Sequence, residues 1–254
     1  MDELEKAASM LKEARQVCAL TGAGISVESG IPDFRSPDGL WSRYDPMLYA
    51  TLESFLHTPE RFYEMARELN PTLENAAPNP AHLALVELER LGKCTAVITQ
   101  NIDYLHQRAG SSTVLEVHGT YSSGHCLRCK RKFDIGEIRE LSADNTRVPK
   151  CPDCEGVIKP DVIFFGEPLD SEVLSKSALI ASTSDLMLVI GCSLEVYPAA
   201  SLPIYTKRNQ GKLIFFNKTQ TPHDSLADLV CLGNAGEMLP ALVEAYRKLL
   251  QRGS

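Results

Sequence analysis

Cys126 and Cys129, followed by Cys151 and Cys154, form two Cys-x-x-Cys pairs separated by twenty-one residues. Each pair presents two thiolates, and two pairs complete a tetrahedral zinc site. The stretch between them, KRKFDIGEIRELSADNTRVPK, is too polar to build a core of its own, so a metal crosslink would supply its organisation. With four thiolates the site is closed, which makes the expected zinc structural and not catalytic. Disulfides or redox pairs are the alternative reading of the same spacing. His125, next to Cys126, is a possible substitute ligand, although four cysteines already suffice. Cys18, Cys94 and Cys231 lie in apolar runs and read as small core residues.

A second set of residues sits where apolar runs stop. VCALTGAGISVESGIPDFRS, residues 17–36, places Gly22 and Gly24 directly after a strand-like run. Glycines there allow main-chain N–H groups to approach a ligand, and a helix starting near Ser26 would aim its positive end at an anion. The dinucleotide fingerprint is incomplete, because Val27 stands where a third Gly or Ala would be and no acidic residue follows a second strand at the usual distance. Thr99-Gln100-Asn101-Ile102-Asp103, His118-Gly119, Gly191-Cys192-Ser193 and Asn217 occupy comparable strand ends. Taken singly, His118 could be a structural histidine, Asp103 a cap for the helix in YLHQRAG, and Asn217 a turn residue. His57, His82, His106 and His223 read as surface or core residues.

The elements that would position these groups alternate along the chain. Leu4, Ala7, Ala8, Leu11 and Ala14 share one face of an opening helix. Strand-like runs recur at 17–20, 95–98, 186–190, 213–216 and 229–231, and helical patterns at 81–91, 171–182, 199–209 and 236–250. Runs apolar on both faces imply an α/β fold, a parallel sheet covered by helices on each side. Its carboxyl edge is where ligands bind. Segments 36–80 and 121–159 break the rhythm and read as excursions that together form a second, smaller domain beside a cleft. The 254 residues suffice for such a core. A net charge of −7 argues against nucleic-acid binding by overall field, and no apolar stretch matches a membrane span. The acidic helical start is unlike a targeting peptide, so a soluble cytoplasmic protein, acting as a monomer, is expected.

GAGISVESGIPDFRS, TQNIDYLHQRAG, VLEVHGT, the paired Cys-x-x-Cys, KPDVIFFGE, GCSLEVYPAA and GNAGEMLPAL, in this order over nearly the whole chain, resemble the sirtuin (Sir2-like) family of NAD-dependent protein lysine deacylases. The resemblance implies a Rossmann-like NAD domain from residues 1–35, 81–120 and 160–254. It also implies a small domain made of a helical module, 36–80, and a zinc ribbon, 121–159. By the same resemblance, Gly22, Ala23, Gly24 and Ser26 would meet the pyrophosphate, and Asp33, Phe34 and Arg35 would form the mobile loop over the nicotinamide ribose. Gln100 and Asn101 would contact that ribose, while Ile102 and Asp103 would hold the nicotinamide carboxamide. Gly191, Cys192, Ser193, Asn217 and Ala235 would complete the NAD site. Cys192 departs from the family's usual Thr or Ser, which weakens one hydroxyl hydrogen bond while leaving Ser193 and the backbone.

The implied chemistry is attack of the acyl oxygen on C1′ of the nicotinamide ribose, with loss of nicotinamide. His118 then acts as general base on a ribose hydroxyl, and free lysine and O-acyl-ADP-ribose result. An acetyl-lysine peptide would add as a strand between Val162-Ile163-Phe164-Phe165-Gly166-Glu167 and Leu194-Glu195-Val196. Family members that prefer succinyl or malonyl groups carry a Tyr-x-x-Arg pair; here Tyr63 is followed by Ala66 at that spacing and by Arg67 one place later. The resemblance therefore favours acetyl, although Arg67 shares a helix face with Tyr63. Transfer of ADP-ribose to a protein is an alternative reaction of the same cleft. A zinc ribbon that reads nucleic acid through RCKRKF is an alternative of another class.

Overall fold

The computed structural model describes residues 2–142 and 147–251. Residues 143–146, inside the 121–159 segment, and residues 1 and 252–254, at the ends of the expected sheet segments, lie outside the described residues. Asp2 caps α1 (Glu3–Glu13) by accepting the Glu5 N–H at 2.9 Å, and the Ala7, Ala8 and Leu11 face is buried. β1 (Val17–Thr21) follows, then α2 (Pro46–Tyr49), α3 (Leu52–His57), α4 (Pro59–Asn75), α5 (Pro80–Arg90), β2 (Cys94–Thr99), α6 (Leu105–Ala109) and β3 (Val114–Glu116). The chain continues through β4 (Gly119–Cys126), β5 (Lys132–Asp134), α7 (Ile135–Leu141), β6 (Ile158–Val162), α8 (Ser171–Thr183) and β7 (Leu186–Ile190). It ends with α9 (Leu202–Arg208), β8 (Lys212–Asn217), β9 (Leu229–Leu232) and α10 (Ala235–Gln251).

Six strands form one parallel sheet in the order β3-β2-β1-β7-β8-β9. The chain builds outward from β1 through β2 and β3, then returns to the other side of β1 for β7, β8 and β9. That reversal opens a crevice between the carboxyl ends of β1 and β7, where a ligand fits. Every residue of β1 and β7 is buried. Val17 and Ala19 pack with α1, α5 and α10, whereas Cys18 and Leu20 pack with residues of α8 and α9 on the opposite face. Strand side chains alternate between faces, so covering both faces requires the unbroken apolar runs seen in the sequence.

β5, β4 and β6 form a second, antiparallel sheet. Its Phe133 and Ile158, with Ile138 of α7, cluster with Cys126 and Cys151. In the 36–80 segment, Phe55 and Phe62 each pack against Phe164 with ring centroids 5.0 Å apart. Tyr121, Leu127, Val148 and Val157 border that aromatic cluster. β4 and β6 straddle the expected boundaries near residues 120 and 160, because the chain leaves and rejoins the large sheet along paired strands.

Two local expectations are corrected. The segment after β1 is a 3-10 helix, Ala23–Ser29, and not a helix starting near Ser26; Gly30, in the left-handed region at φ 87°, ends it. The 199–209 helix divides into a 3-10 turn, Ala199–Ser201, and α9.

Candidate active site

Gly22 and Gly24 are bare for a reason the sequence reading did not give. A Cβ on Gly22 would lie 2.7 Å from the Gly191 carbonyl oxygen, and one on Gly24 would lie 2.6 Å from Gly191 Cα. Their N–H groups are also committed, Gly22 to Ile190 O and Gly24 to Gly191 O, each at 3.0 Å. These glycines therefore let the loop after β1 close onto the loop after β7.

Beside this closure lies a cavity of about 590 Å³. Ala23, Ser26, Phe34, Arg35, Gln100, Asn101, Ile102, Asp103 and His118 line it, as do Val162 to Glu167 and Val196. Gly22, Gly24, Asp33, Gly191, Cys192, Leu194, Ser193, Glu195, Asn217 and Ala235 lie outside that lining. Asp33 instead holds its loop, its Oδ1 accepting the Arg35 and Ser36 N–H groups at 3.0 and 2.8 Å. Asn217, at the end of β8, clasps Cys192 by accepting its N–H at 2.9 Å and donating to its carbonyl at 3.2 Å. Arg35 and Glu195 form an exposed ion pair at 3.0 Å, joining the loop after Pro32 to the Leu194–Val196 segment.

The polar groups are held by one another. Asn101 Nδ2 donates to Gly22 O and to Ser26 Oγ, both at 3.1 Å. Ser26 Oγ donates to Asp103 Oδ2 at 2.7 Å. Asp103 Oδ1 accepts the Leu105 N–H at 2.9 Å, but Asp103 is not the cap of α6, a place taken by Tyr104 in the left-handed region. Burial raises the Asp103 pKa against those two donors. His118 Nδ1 lies 3.1 Å from the Gln100 carbonyl oxygen, and its buried Nε2 has no partner among the described residues. Burial lowers the His118 pKa, the Gln100 carbonyl opposes this, and the Arg35 charge adds to it. The result is a neutral imidazole with one unused acceptor nitrogen, in a cavity walled mostly by apolar side chains.

Phe62, Met65 and Leu69 of α4, which the sequence did not single out, wall the same cavity together with Ala66. Their i, i+3, i+4, i+7 spacing was the available signal. Arg67 is absent from this wall and lines a separate small pocket with Tyr63, Arg139 and Arg147.

The four paired cysteines converge, with all Sγ atoms within 4.8 Å of one another. Cys126 and Cys154 are 3.4 Å apart, and Cys129 and Cys151 3.6 Å. Zinc–thiolate bonds of about 2.3 Å in a tetrahedron space sulfurs at ~3.8 Å, whereas a disulfide requires about 2.05 Å. The donors thus fit one structural zinc ion. His125 is directed elsewhere, to Asp161 Oδ1 at 2.7 Å. Cys18, Cys94 and Cys231 are buried core residues, as expected.

The Sir2 family profile matches residues 22–198. The chain belongs to the Sir2 family. A sirtuin of Pyrobaculum aerophilum named NAD-dependent protein deacetylase 1 is 44% identical over 98% of this chain and 97% of its own. The NAD-dependent protein deacylase 2 of Archaeoglobus fulgidus is 45% identical over 98% of both chains. A solved Sir2 structure superposes with a TM-score of 0.91 at 44% identity, covering 98% of this chain and 99% of that one. Another, a Sir2 with a p53 peptide and NAD+, gives 0.85 at 40% identity over 100% and 99% of the two chains. The sirtuin fold described above is thus shared along essentially the whole length.

Proposed function

We propose that this sirtuin is an NAD-dependent protein lysine deacetylase that passes the acetyl group of N6-acetyl-lysine to ADP-ribose and releases nicotinamide. The observation that carries the reading is the free Nε2 of a neutral, buried His118, lining one cavity with Ser26, Asn101 and Asp103. Relatives similar over the full chain bear deacetylase or deacylase names. The residues fit NAD: glycine-closed loops at a parallel-sheet switch point, with polar side chains gathered there, suit a dinucleotide.

When bound, NAD supplies the electrophilic ribose carbon and the nicotinamide leaving group. Asn101 and Gln100 orient the ribose, and Asp103 with Ile102 holds the carboxamide. His118 Nε2 takes the proton of a ribose hydroxyl. Its Nδ1–H stays on Gln100 O, which fixes the basic tautomer. The aromatic series Phe34, Trp41 and Phe165, with centroid spacings of 5.3 and 6.3 Å, lines one side of the cavity. The peptide adds between Val162–Glu167 and Leu194–Val196. The 36–80 and 121–159 segments act as one small domain, supported by their shared aromatic cluster. Arg131 in RCKRKF is paired with Asp153 at 2.8 Å, which leaves less free charge for nucleic acid. Free core thiols suit a cytoplasmic protein, and we read it as a monomer acting on acetylated proteins.

Mass spectrometry of an acetylated peptide incubated with and without NAD tests the reading. Loss of the acetyl mass only with NAD, matched by equal nicotinamide, is expected. Deacetylation without NAD, or ADP-ribose attached to protein in its place, would overturn it.

A further inference from the structure

Lys159 is a lysine whose side chain is only 3% exposed, a rare placement unless every donor is met. Its ammonium has three N–H groups and finds three acceptors: Pro160 O at 3.2 Å, Val162 O at 2.8 Å and Glu167 Oε2 at 3.0 Å. The charge also lies 4.6 Å from the centroid of the Phe164 ring. All of these partners belong to the 160–167 stretch, which wraps around the cation. Glu167 Oε2 additionally accepts the Phe164 N–H at 3.0 Å, so the carboxylate faces inward although its residue borders the cavity.

The wrapped stretch is the expected peptide-binding wall. Its far side is bonded to the rest of the site: Ile163 N–H donates to His118 O at 2.9 Å, and Phe165 N–H donates to Ala50 O at 2.9 Å. Gly166, at φ 81°, turns the chain so that Glu167 comes back to Lys159. An ion pair with one partner buried and the other half-buried is a poor source of net stability compared with apolar packing of the same volume. What this one supplies is a fixed direction for backbone carbonyls. We propose that Lys159, through Glu167, is a positioning residue for acetyl-peptide recognition, holding residues 162–165 and the turn at Gly166 in the form onto which the peptide adds. The proposal rests on the deacetylase reading for its kinetic arm only.

The test compares the parent, Lys159→Met, Lys159→Arg and Glu167→Gln. Amide hydrogen exchange reads the wall directly, and NAD affinity is followed by the fluorescence of Trp41, the chain's one tryptophan. Removing the ammonium should speed exchange at 162–166 and raise the acetyl-peptide KM, each by about tenfold or more, with β1 and β7 exchange and NAD affinity within about twofold. Glu167→Gln should show the same split, and Lys159→Arg should retain most peptide affinity. A Lys159→Met protein with unchanged exchange, or with a peptide KM within about twofold of the parent, would overturn the proposal. So would loss of NAD and peptide affinity together, or unfolding of both neutralising variants. If the parent itself does not deacetylate, that reading fails, and the exchange arm still decides whether Lys159 holds the wall.

Discussion

The Gln100 carbonyl oxygen and His118 Nδ1, 3.1 Å apart, settle which ring nitrogen can act as a base. A carbonyl only accepts, so Nδ1 carries the proton and Nε2 presents a lone pair. His118→Ala should lower kcat by about a hundredfold or more while NAD affinity holds, because the phosphate-side contacts remain. Burial lowers the His118 pKa, so the acid limb of kcat/KM should lie below the ordinary histidine value near 6.5. Activity should be full above that limb and lost as pH falls through it. A limb above 6.5 would contradict the assignment.

The buried rings of His82 and His106, 4.8 Å apart, predict acid sensitivity of the fold itself. Burial lowers their pKa to about 4 and about 3. Unfolded, both titrate near 6.5, so below that pH the unfolded chain takes up protons that the folded chain refuses. Stability should be complete above about pH 6.5 and fall by ~1.4 kcal/mol per pH unit for each ring towards pH 4. Urea midpoints measured across this range should decline less steeply in His82→Gln. Equal slopes in the two proteins would exclude the pair as the cause.

Gly24→Ala tests the closure of the two loops. The new methyl meets backbone and not a flexible side chain, so the loops must part, at a cost of about 1–3 kcal/mol. NAD affinity should fall by about tenfold or more, and the melting temperature should drop only by several degrees. Unaltered affinity would show that the contact does not shape the site.

Much of this was legible because the signals are local. Two Cys-x-x-Cys pairs define a zinc site without reference to the fold, and strands buried on both faces announce themselves as apolar runs. β3 is harder to read, since Val114–Glu116 is a half-buried, three-residue edge strand. Whether Arg67 or Ala66 faces the acyl cavity depends on how α4 is rotated, which spacing leaves open. Nothing near Lys159 marks it as buried until Gly166 brings Glu167 back. The glycines of the first loop were visible, but their partner, Gly191, lies far along the chain.

Acyl choice follows from the wall of the cavity. Phe62, Met65, Ala66 and Leu69 offer no cation to a carboxylate, whose burial unpaired costs several kcal/mol. Acetyl-peptide kcat/KM should exceed that of the succinyl peptide by about a hundredfold. Arg67→Ala should change neither value appreciably, and collapse of succinyl turnover in that variant would place Arg67 in the tunnel.

Removing the metal should separate structure from chemistry. Cys151→Ala, or a strong chelator, should release zinc and abolish activity by unfolding the small sheet, with β1 and β7 amides still protected from exchange. Full turnover by metal-free protein would contradict a structural zinc.

The contact of Gly22 and Gly24 with Gly191 also sets an order of events during synthesis. β1 is made early, but its second neighbour, β7, emerges only in the last third of the chain. Until Leu186–Ile190 has docked, the first loop has nothing to close against, and closing so long a stretch of chain is slow compared with forming local helices. No fragment ending before β7 can be rescued by adding the dinucleotide, because the surface that would bind it has not been made. The cleft is a late acquisition of each molecule, assembled after the zinc ribbon has already left the ribosome.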